Sequence, residues 1–235
     1  MTRLSGFPFE KFHFKSNSIL EELPSKERKI FEENMVMRKF KKGQALFVEG
    51  SIPTGIFFLK QGKVKKFKSD RDGKEQIIYI CSSGELFGYP ALLSEETYSD
   101  SASTLEDSEI GFIPKKYFEQ VLESSTAFSN KLLKNLSHEF GVLGNSIVMF
   151  AHKTVRERLA LTLLILKEKY IDKANREKSV EINLSREDLA NMVGTAVETL
   201  VRLLREFKDE GLIETEVRII RVKNVKKLIA VANFY

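Results

Sequence analysis

At Ser125 the spacing of apolar residues changes period, so no single architecture accommodates both halves of the chain. Between about Gly43 and Ile113, short apolar runs are separated by turn signals: "ALFVEG", "GIFFLKQG", "KVKKFKSDRDG", "EQIIYICSSG" and "EIGFIP". Gly50, Gly62, Gly73 and Gly84 fall 11 or 12 residues apart, the spacing of an antiparallel sandwich or barrel. The Asp-Gly pair within "DRDGKE" suits the positive φ angles of a tight hairpin turn. Beyond Ser125, Phe128, Leu132, Leu136, Phe140, Leu143, Ile147 and Phe150 recur every three or four residues. That predicts one helix of ~25 residues, ~38 Å long at 1.5 Å per residue. Strand period followed by helix period predicts an α+β chain.

The stripe from Phe128 to Phe150 is narrow, like a coiled-coil seam, and predicts pairing with a second copy; packing on the chain's own β domain is the alternative. Gly141 and Gly144 each cost roughly 1 kcal/mol inside a helix. They fit either a close backbone approach or a flexible point. A short helix is expected before the strands, with Pro24 near its first turn and Leu23, Ile30 and Phe31 inward. Another is expected from Pro114, carrying Tyr117, Phe118, Val121 and Leu122.

The C-terminal part is helical first. "TVRE" (Thr154 to Glu157) reads as a capping box opening a helix with Leu159, Leu163, Leu166 and Tyr170 on its apolar face. "DKANREKSVE" is polar and reads as a loop. "SRED" (Ser185 to Asp188) and "TAVE" (Thr195 to Glu198) are two further capping patterns only ten residues apart. They leave room for a short helix, Arg186 to Val193, a turn at Gly194, and a second helix whose face is Leu200, Leu203, Leu204 and Phe207. Leu189 and Val193 face inward, and Ala190 lets the helices cross closely. With "LIETE" and "RIIRVK" as strands, this is a helix-turn-helix in its winged form. Glu198, Thr199, Arg202 and Arg205 lie off the buried face of the second helix, where base-reading side chains sit. Arg can pair with guanine and Glu can accept from cytosine. The plainer reading of Glu198 and Arg202 is a surface pair worth ~0.3–0.5 kcal/mol.

Bulk charge does not decide between them. The net charge is +5 overall, and Asn183 to Tyr235 holds nine Lys or Arg against eight Asp or Glu. Phosphate contacts have to come from placement, and the candidates are Ser185, Arg186, Thr195, Arg205, Arg218 and Arg221. Lys153, Arg156, Lys208 and Lys223 are further basic residues near them. A single cysteine, Cys81, excludes a disulfide framework and a four-thiolate iron–sulfur or zinc site within one chain. No histidine lies between Gly43 and Ile113, which leaves a cupin-type metalloenzyme without strand ligands. Haem ligation fails on the same inventory, so no cofactor or metal site is expected. Charges break the N-terminal segment at Arg3, Glu10, Lys11 and Lys15, unlike a signal peptide, and the charge-free run "FGVLGNSIVMFAH" is too short to cross a bilayer. A cytoplasmic protein with no membrane partner is expected.

These pieces, "FKKGQALFVEGSIPTGIFFLKQGKVK", "SSGELFGYPALL", the long helix, "RERLALTLLIL" and "LSREDLANMVGTAVETLVRLLREFKDEGLIE", together resemble the CRP/FNR superfamily of bacterial transcription regulators. The resemblance covers nearly everything after about Ile19. It implies an N-terminal β-roll (jelly-roll, cyclic-nucleotide-binding-like) sensor, a long dimerisation helix and a C-terminal winged helix-turn-helix. The implied limits are residues 1–18 for an N-terminal extension, 19–125 for the roll, 126–153 for the helix and 154–235 for the DNA-binding domain. It further implies a homodimer on a near-palindromic operator in double-stranded DNA, with RNA polymerase as a further partner. Glu198, Thr199 and Arg202 match the family's recognition motif; Val197 and Val201 depart from it.

The resemblance also implies an effector pocket at Gly88, Tyr89, Asp100 and Ser101, and there the chain departs further. Tyr89 stands where cyclic-nucleotide-binding members carry a glutamate, and Asp100 beside Ser101 where they carry an arginine. An aspartate facing a phosphate is repulsive, so binding of a cyclic nucleotide in the usual mode is not expected. Glu85 lies too far upstream to replace the glutamate. The pocket then holds another ligand or is filled by its own side chains, with Tyr89 and Tyr98 as candidates. A cyclic-nucleotide-binding regulatory protein is the alternative reading.

Overall fold

The segments between Val36 and Pro114 pair into two four-stranded antiparallel sheets, whose successive side chains point to opposite faces. The computed structural model describes residues 7–14, 18–171 and 180–233. They form two compact units, one of residues 14–141 and the other of the residues up to 13 with those from 142 onward.

The first unit opens with α1 (Ser18–Glu21) and α2 (Ser25–Asn34). The strands follow: β1 (Val36–Phe40), β2 (Ala45–Phe47), β3 (Gly55–Gln61), β4 (Lys63–Ser69), β5 (Glu75–Ser82) and β6 (Leu86–Phe87). After α3 (Tyr89–Leu93) come β7 (Ser101–Thr104) and β8 (Ser108–Pro114), then α4 (Lys115–Ser124) and the start of α5 (Thr126–His152). One sheet has the order β1-β8-β3-β6 and the other β2-β7-β4-β5, so strands far apart in sequence are neighbours, as in a jelly roll. Ile56, Leu59, Ile110 and Ile113 from the first sheet and Val64, Ile80 and Ala102 from the second are fully buried. The β4–β5 hairpin turns where expected: Gly73 has φ +78° and the Asp70 carboxylate accepts from the Asp72 and Lys74 amides at 3.0 and 2.9 Å. Strand β1 was not legible. Four of its five residues are exposed, so no alternation marks it.

Helices close one end of the roll. Ile19, Leu23, Phe31, Phe118, Val121, Phe128 and Leu132 form one cluster, with Leu136 packed against it, and the Phe128 ring meets Phe31 and Phe118 edge-on at 5.6 and 5.8 Å. This corrects the expected seam. Phe128, Leu132 and Leu136 belong to the chain's own core, whereas Phe140 (79% exposed), Leu143, Ile147 (69%) and Phe150 are open to solvent. A three-or-four spacing drifts around a helix at about 100° per residue. The buried face runs through Phe128, Leu132, Asn135, Glu139 and Val142. The exposed apolar stripe lies about 100° further round, on Leu133, Phe140 and Ile147 with Gly144 between them. The division between the compact units falls inside α5, at Gly141/Val142.

In the second unit, α6 (Val155–Lys169) carries the expected capping box: the Thr154 hydroxyl accepts from the Glu157 amide while the Glu157 carboxylate accepts from the Thr154 amide. A bond from Asn233, with those from Thr154, holds the Glu157 carboxyl down at about 2. Beyond the expected face, Leu161, Leu164 and Ile165 are buried too, because α6 is the central helix of this unit. Around it lie α7 (Arg186–Val193), α8 (Val197–Asp209) and α9 (Val225–Ala232). A small sheet of β9 (Ile182–Asn183), β10 (Ile213–Glu216) and β11 (Ile219–Val222) has the order β10-β11-β9. The last segment is thus helical, and β9 adds a third strand that the sequence did not signal. Of the segment 172–181 read as a loop, residues 172–179 lie outside the described residues.

Candidate DNA-recognition surface and roll interior

Two short helices joined by a glycine turn build the candidate recognition surface. Ser185 caps α7, its hydroxyl accepting from the Asp188 amide at 2.9 Å. Gly194 adopts φ +71°, ψ 53°, a left-handed conformation that favours glycine, and its amide closes α7 on the Ala190 carbonyl at 2.8 Å. The Thr195 amide reaches the same carbonyl at 3.1 Å.

One sequence expectation fails here. "TAVE" is not a capping box: the chain enters α8 one residue later, Ala196 is the N-cap, and no side chain caps it. The second helix otherwise runs as expected, with Leu200, Leu203, Leu204 and Phe207 buried. Its other side presents Val197, Glu198, Val201, Arg202 and Arg205 to solvent, with Thr199 half-buried. Arg202 pairs with Glu206 at 2.6 Å rather than with Glu198.

The basic candidates differ in what they already hold. Arg186 donates to the Val217 carbonyl at 2.8 Å, tying the start of α7 to the tip of the β10–β11 wing, and burial lowers its guanidinium pKa. Arg218 is exposed beside that tip, and Val217 adopts φ 49°. Arg221 is engaged by Glu181 and Glu216, and Arg156 by Glu206 and Glu210.

Inside the roll, the polar side chains assigned to an effector pocket are engaged by other residues of the roll and of α5. Gly88 (φ 82°) starts α3, and Tyr89, 1% exposed, donates its hydroxyl to the Glu139 carboxylate of α5. Asp100 pairs with Lys66 of β4 at 3.0 Å, with both side chains largely buried. Ser101 accepts from the Glu49 amide at 2.9 Å. Tyr98 stacks on Phe47 at 3.9 Å, and its hydroxyl pKa is pushed up to about 12 by burial and by Asp100. Beside Tyr89, among the described residues, lies a cavity of about 10 Å³, at the limit for one water molecule. Gly88 and Tyr89 line it with Lys66, Tyr79, Cys81, Glu85 and Glu139; Asp100 and Ser101 do not. Glu85 lines this interior and accepts from the Tyr79 hydroxyl at 2.9 Å. Phe14 covers the cavity, stacked on Tyr79 at 3.8 Å, whereas Phe7, Phe9 and Phe12 cluster together in the other unit.

Lys66 was legible in principle, since it has the strand parity of buried Val64. Glu139 was not, because nothing in a helical period says which polar residue faces a pocket. Burial opposes charge on Lys66, but Asp100, Cys81 and Glu139 together outweigh it and the net direction is upward. Burial also raises the Glu139 pKa; Tyr89 and Lys66 work against that rise, Glu85 adds to it, and His138 opposes it. A carboxyl whose folded pKa is raised contributes stability that is complete below its unfolded pKa and is lost as pH climbs through the folded one. Glu139→Gln keeps an acceptor for Tyr89 and removes this loss. The expected result is a variant more stable than the parent at pH 7, with the difference closing toward pH 4, read by urea unfolding across that range.

Among the described residues, no group of three or more His, Cys, Asp or Glu is placed to hold a metal ion, and no helix is long and apolar enough to cross a membrane. Residues 37–125 match the family model of the cyclic nucleotide-binding domain, and residues 157–231 that of the Crp-like helix-turn-helix domain. The chain is 28% identical over 195 residues to the transcriptional activator protein anr of Pseudomonas aeruginosa, covering 83% of this chain and 80% of that protein. It is 25% identical over 194 residues to the fumarate and nitrate reduction regulatory protein of Escherichia coli, covering 82% and 77%. Its fold matches that of FixK2 from Bradyrhizobium japonicum with a TM-score of 0.76 at 20% identity, over 86% of this chain and 98% of that one.

Proposed function

Because the chain belongs to the CRP/FNR superfamily of DNA-binding transcription regulators, we propose that it acts as a cytoplasmic homodimer reading a near-palindromic operator, and not as an enzyme. The observation that carries this reading is α8: one face is core, and the opposite face offers Glu198 and Arg202 just after the Gly194 turn. Glu198, Thr199 and Arg202 are the proposed base contacts. Ser185, Arg186, Thr195, Arg205 and Arg218 are proposed to flank the backbone; Arg221 can join them only by leaving Glu181 and Glu216. The Leu133–Phe140–Ile147 stripe of α5 is the proposed dimer seam, and RNA polymerase the proposed further partner.

The roll is proposed to work without a cyclic nucleotide in the usual mode. Asp100 already pairs with the cation at hand, Lys66, and a cavity of about 10 Å³ is far below the roughly 300 Å³ at which ligand pockets begin. Cys81 alone cannot hold a four-thiolate cluster.

Selection of bound duplexes from a random pool tests the reading. The expected product is an inverted repeat with half-site centres one helical turn, or a multiple, apart, enriched equally with and without millimolar cyclic AMP or cyclic GMP. Enrichment of no motif removes the operator reading; enrichment that depends on the nucleotide removes the sensor reading.

A further inference from the structure

One guanidinium in the second unit gathers three backbone carbonyls from two places in the chain. Arg158, on the first turns of α6, donates from Nε to the Val193 carbonyl at 2.8 Å, from Nη2 to Gly194 at 3.0 Å, and from Nη1 to Lys153 at 2.9 Å. It also lies over the Phe150 ring at 5.7 Å. Val193 and Gly194 are the end of α7 and the turn before α8; Phe150 and Lys153 are the end of α5 and the junction after it. The last carbonyls of a helix have no partner within it and form its negative pole. Two such ends therefore converge on one planar cation whose fork of donors is fixed in geometry. Burial lowers the pKa of this guanidinium, yet arginine stays charged throughout the accessible range.

We infer that Arg158 is a positioning residue for DNA recognition: it clamps the helix-turn-helix turn to the end of the dimerisation helix and so sets where α8 points. Two half-sites at fixed spacing can be read together only if each α8 keeps a fixed place relative to the helix that joins the copies. The operator part of this inference rests on the DNA-binding reading above. Arg158 itself is occupied by the protein's own carbonyls and touches no base.

Arg158→Lys isolates the role, since the charge is kept while a lysine ammonium lacks the fork that spans three carbonyls. Hydrogen exchange is measured first, in the full chain without DNA. The Gly194 and Thr195 amides, both bonded to the Ala190 carbonyl, should exchange at least about tenfold faster, with the α6 core at Leu163 to Leu166 unchanged. Affinity is then measured for the selected operator and for unrelated duplex across a salt series. The expected outcome is at least about a tenfold loss on the operator, little change on unrelated duplex, and an unchanged salt slope, because no phosphate contact is lost. Unchanged exchange at the turn overturns the clamp. Faster exchange with undiminished operator affinity overturns its positioning role, and an equal loss on all duplexes with a slope smaller by about 1 makes Arg158 a phosphate contact instead. A parent protein that prefers no sequence refutes the function proposed above, and the exchange measurement still decides on the clamp.

Discussion

Replacing both Phe140 and Ile147 by aspartate should convert the protein to a monomer and weaken operator binding by two orders of magnitude or more. The argument starts from exposure: these are among the largest apolar side chains left open on α5, at 79% and 69%. Burying one Phe or Ile fully is worth about 1.5–3 kcal/mol, and a two-fold seam buries each twice. Four such side chains dominate an interface built on a single helix. Aspartate removes that gain and sets like charges close to the symmetry axis. Both residues lie off the buried face of α5, so the fold of each copy should survive, with its helical circular dichroism intact. Loss of the dimer turns a two-site contact into a one-site contact, typically a factor of 10² to 10⁴ in affinity. Sedimentation equilibrium and operator titration of the same samples check this. A variant that stays dimeric at micromolar concentration would place the seam elsewhere. Phe128→Asp is the contrasting change: it lands in the core beside Phe31 and Phe118 and should unfold the roll rather than separate the copies.

Arg202→Ala should cost about 1–3 kcal/mol per half-site, hence about twice that on a symmetric operator, and should relax the preference at one base position in each half. In the free protein Arg202 is paired with Glu206 across one helical turn, and its side chain is 65% exposed. An exposed pair of this kind is worth only ~0.3–0.5 kcal/mol. A bidentate contact to a guanine edge is worth several times more, so the proposed base contact should displace the pair. Once Arg202 is removed, Glu206 still has Arg156 within 3.4 Å, and the thermal midpoint should barely move. Fluorescence anisotropy with single-base operator variants separates the outcomes. An equal loss on every duplex, with a shallower salt dependence, would make Arg202 a backbone contact.

The recognition surface was the most legible part of the chain because its signals are local. Ser185, Gly194 and the Leu200–Leu203–Leu204–Phe207 face fix both helices within a few residues of sequence. The error at Thr195 was local as well. A hydroxyl three residues before a glutamate satisfies the capping pattern, but the tight turn after Gly194 carries the chain one residue further before α8 begins. The roll's interior was much less legible. Lys66 and Asp100 are 34 positions apart in the chain, and Tyr89 and Glu139 are 50 apart. Each pair exists only because β4 lies beside β7 and α5 lies beside α3.

The sequence by itself determined the order of strand and helix, the turn and buried faces of the helix-turn-helix, and the absence of enough cysteine for a metal cluster. Period and turn chemistry are read over a handful of neighbouring residues, and inventory needs no geometry at all. Only the tertiary structure decided which apolar residues of α5 face the roll and which face solvent. It alone showed that Lys66 and Asp100 pair inside the roll, and that Arg158 gathers carbonyls from two distant turns. A three-or-four repeat specifies a helix but not which neighbour each side of it meets, and long-range pairs of charges and carbonyls are chosen by packing.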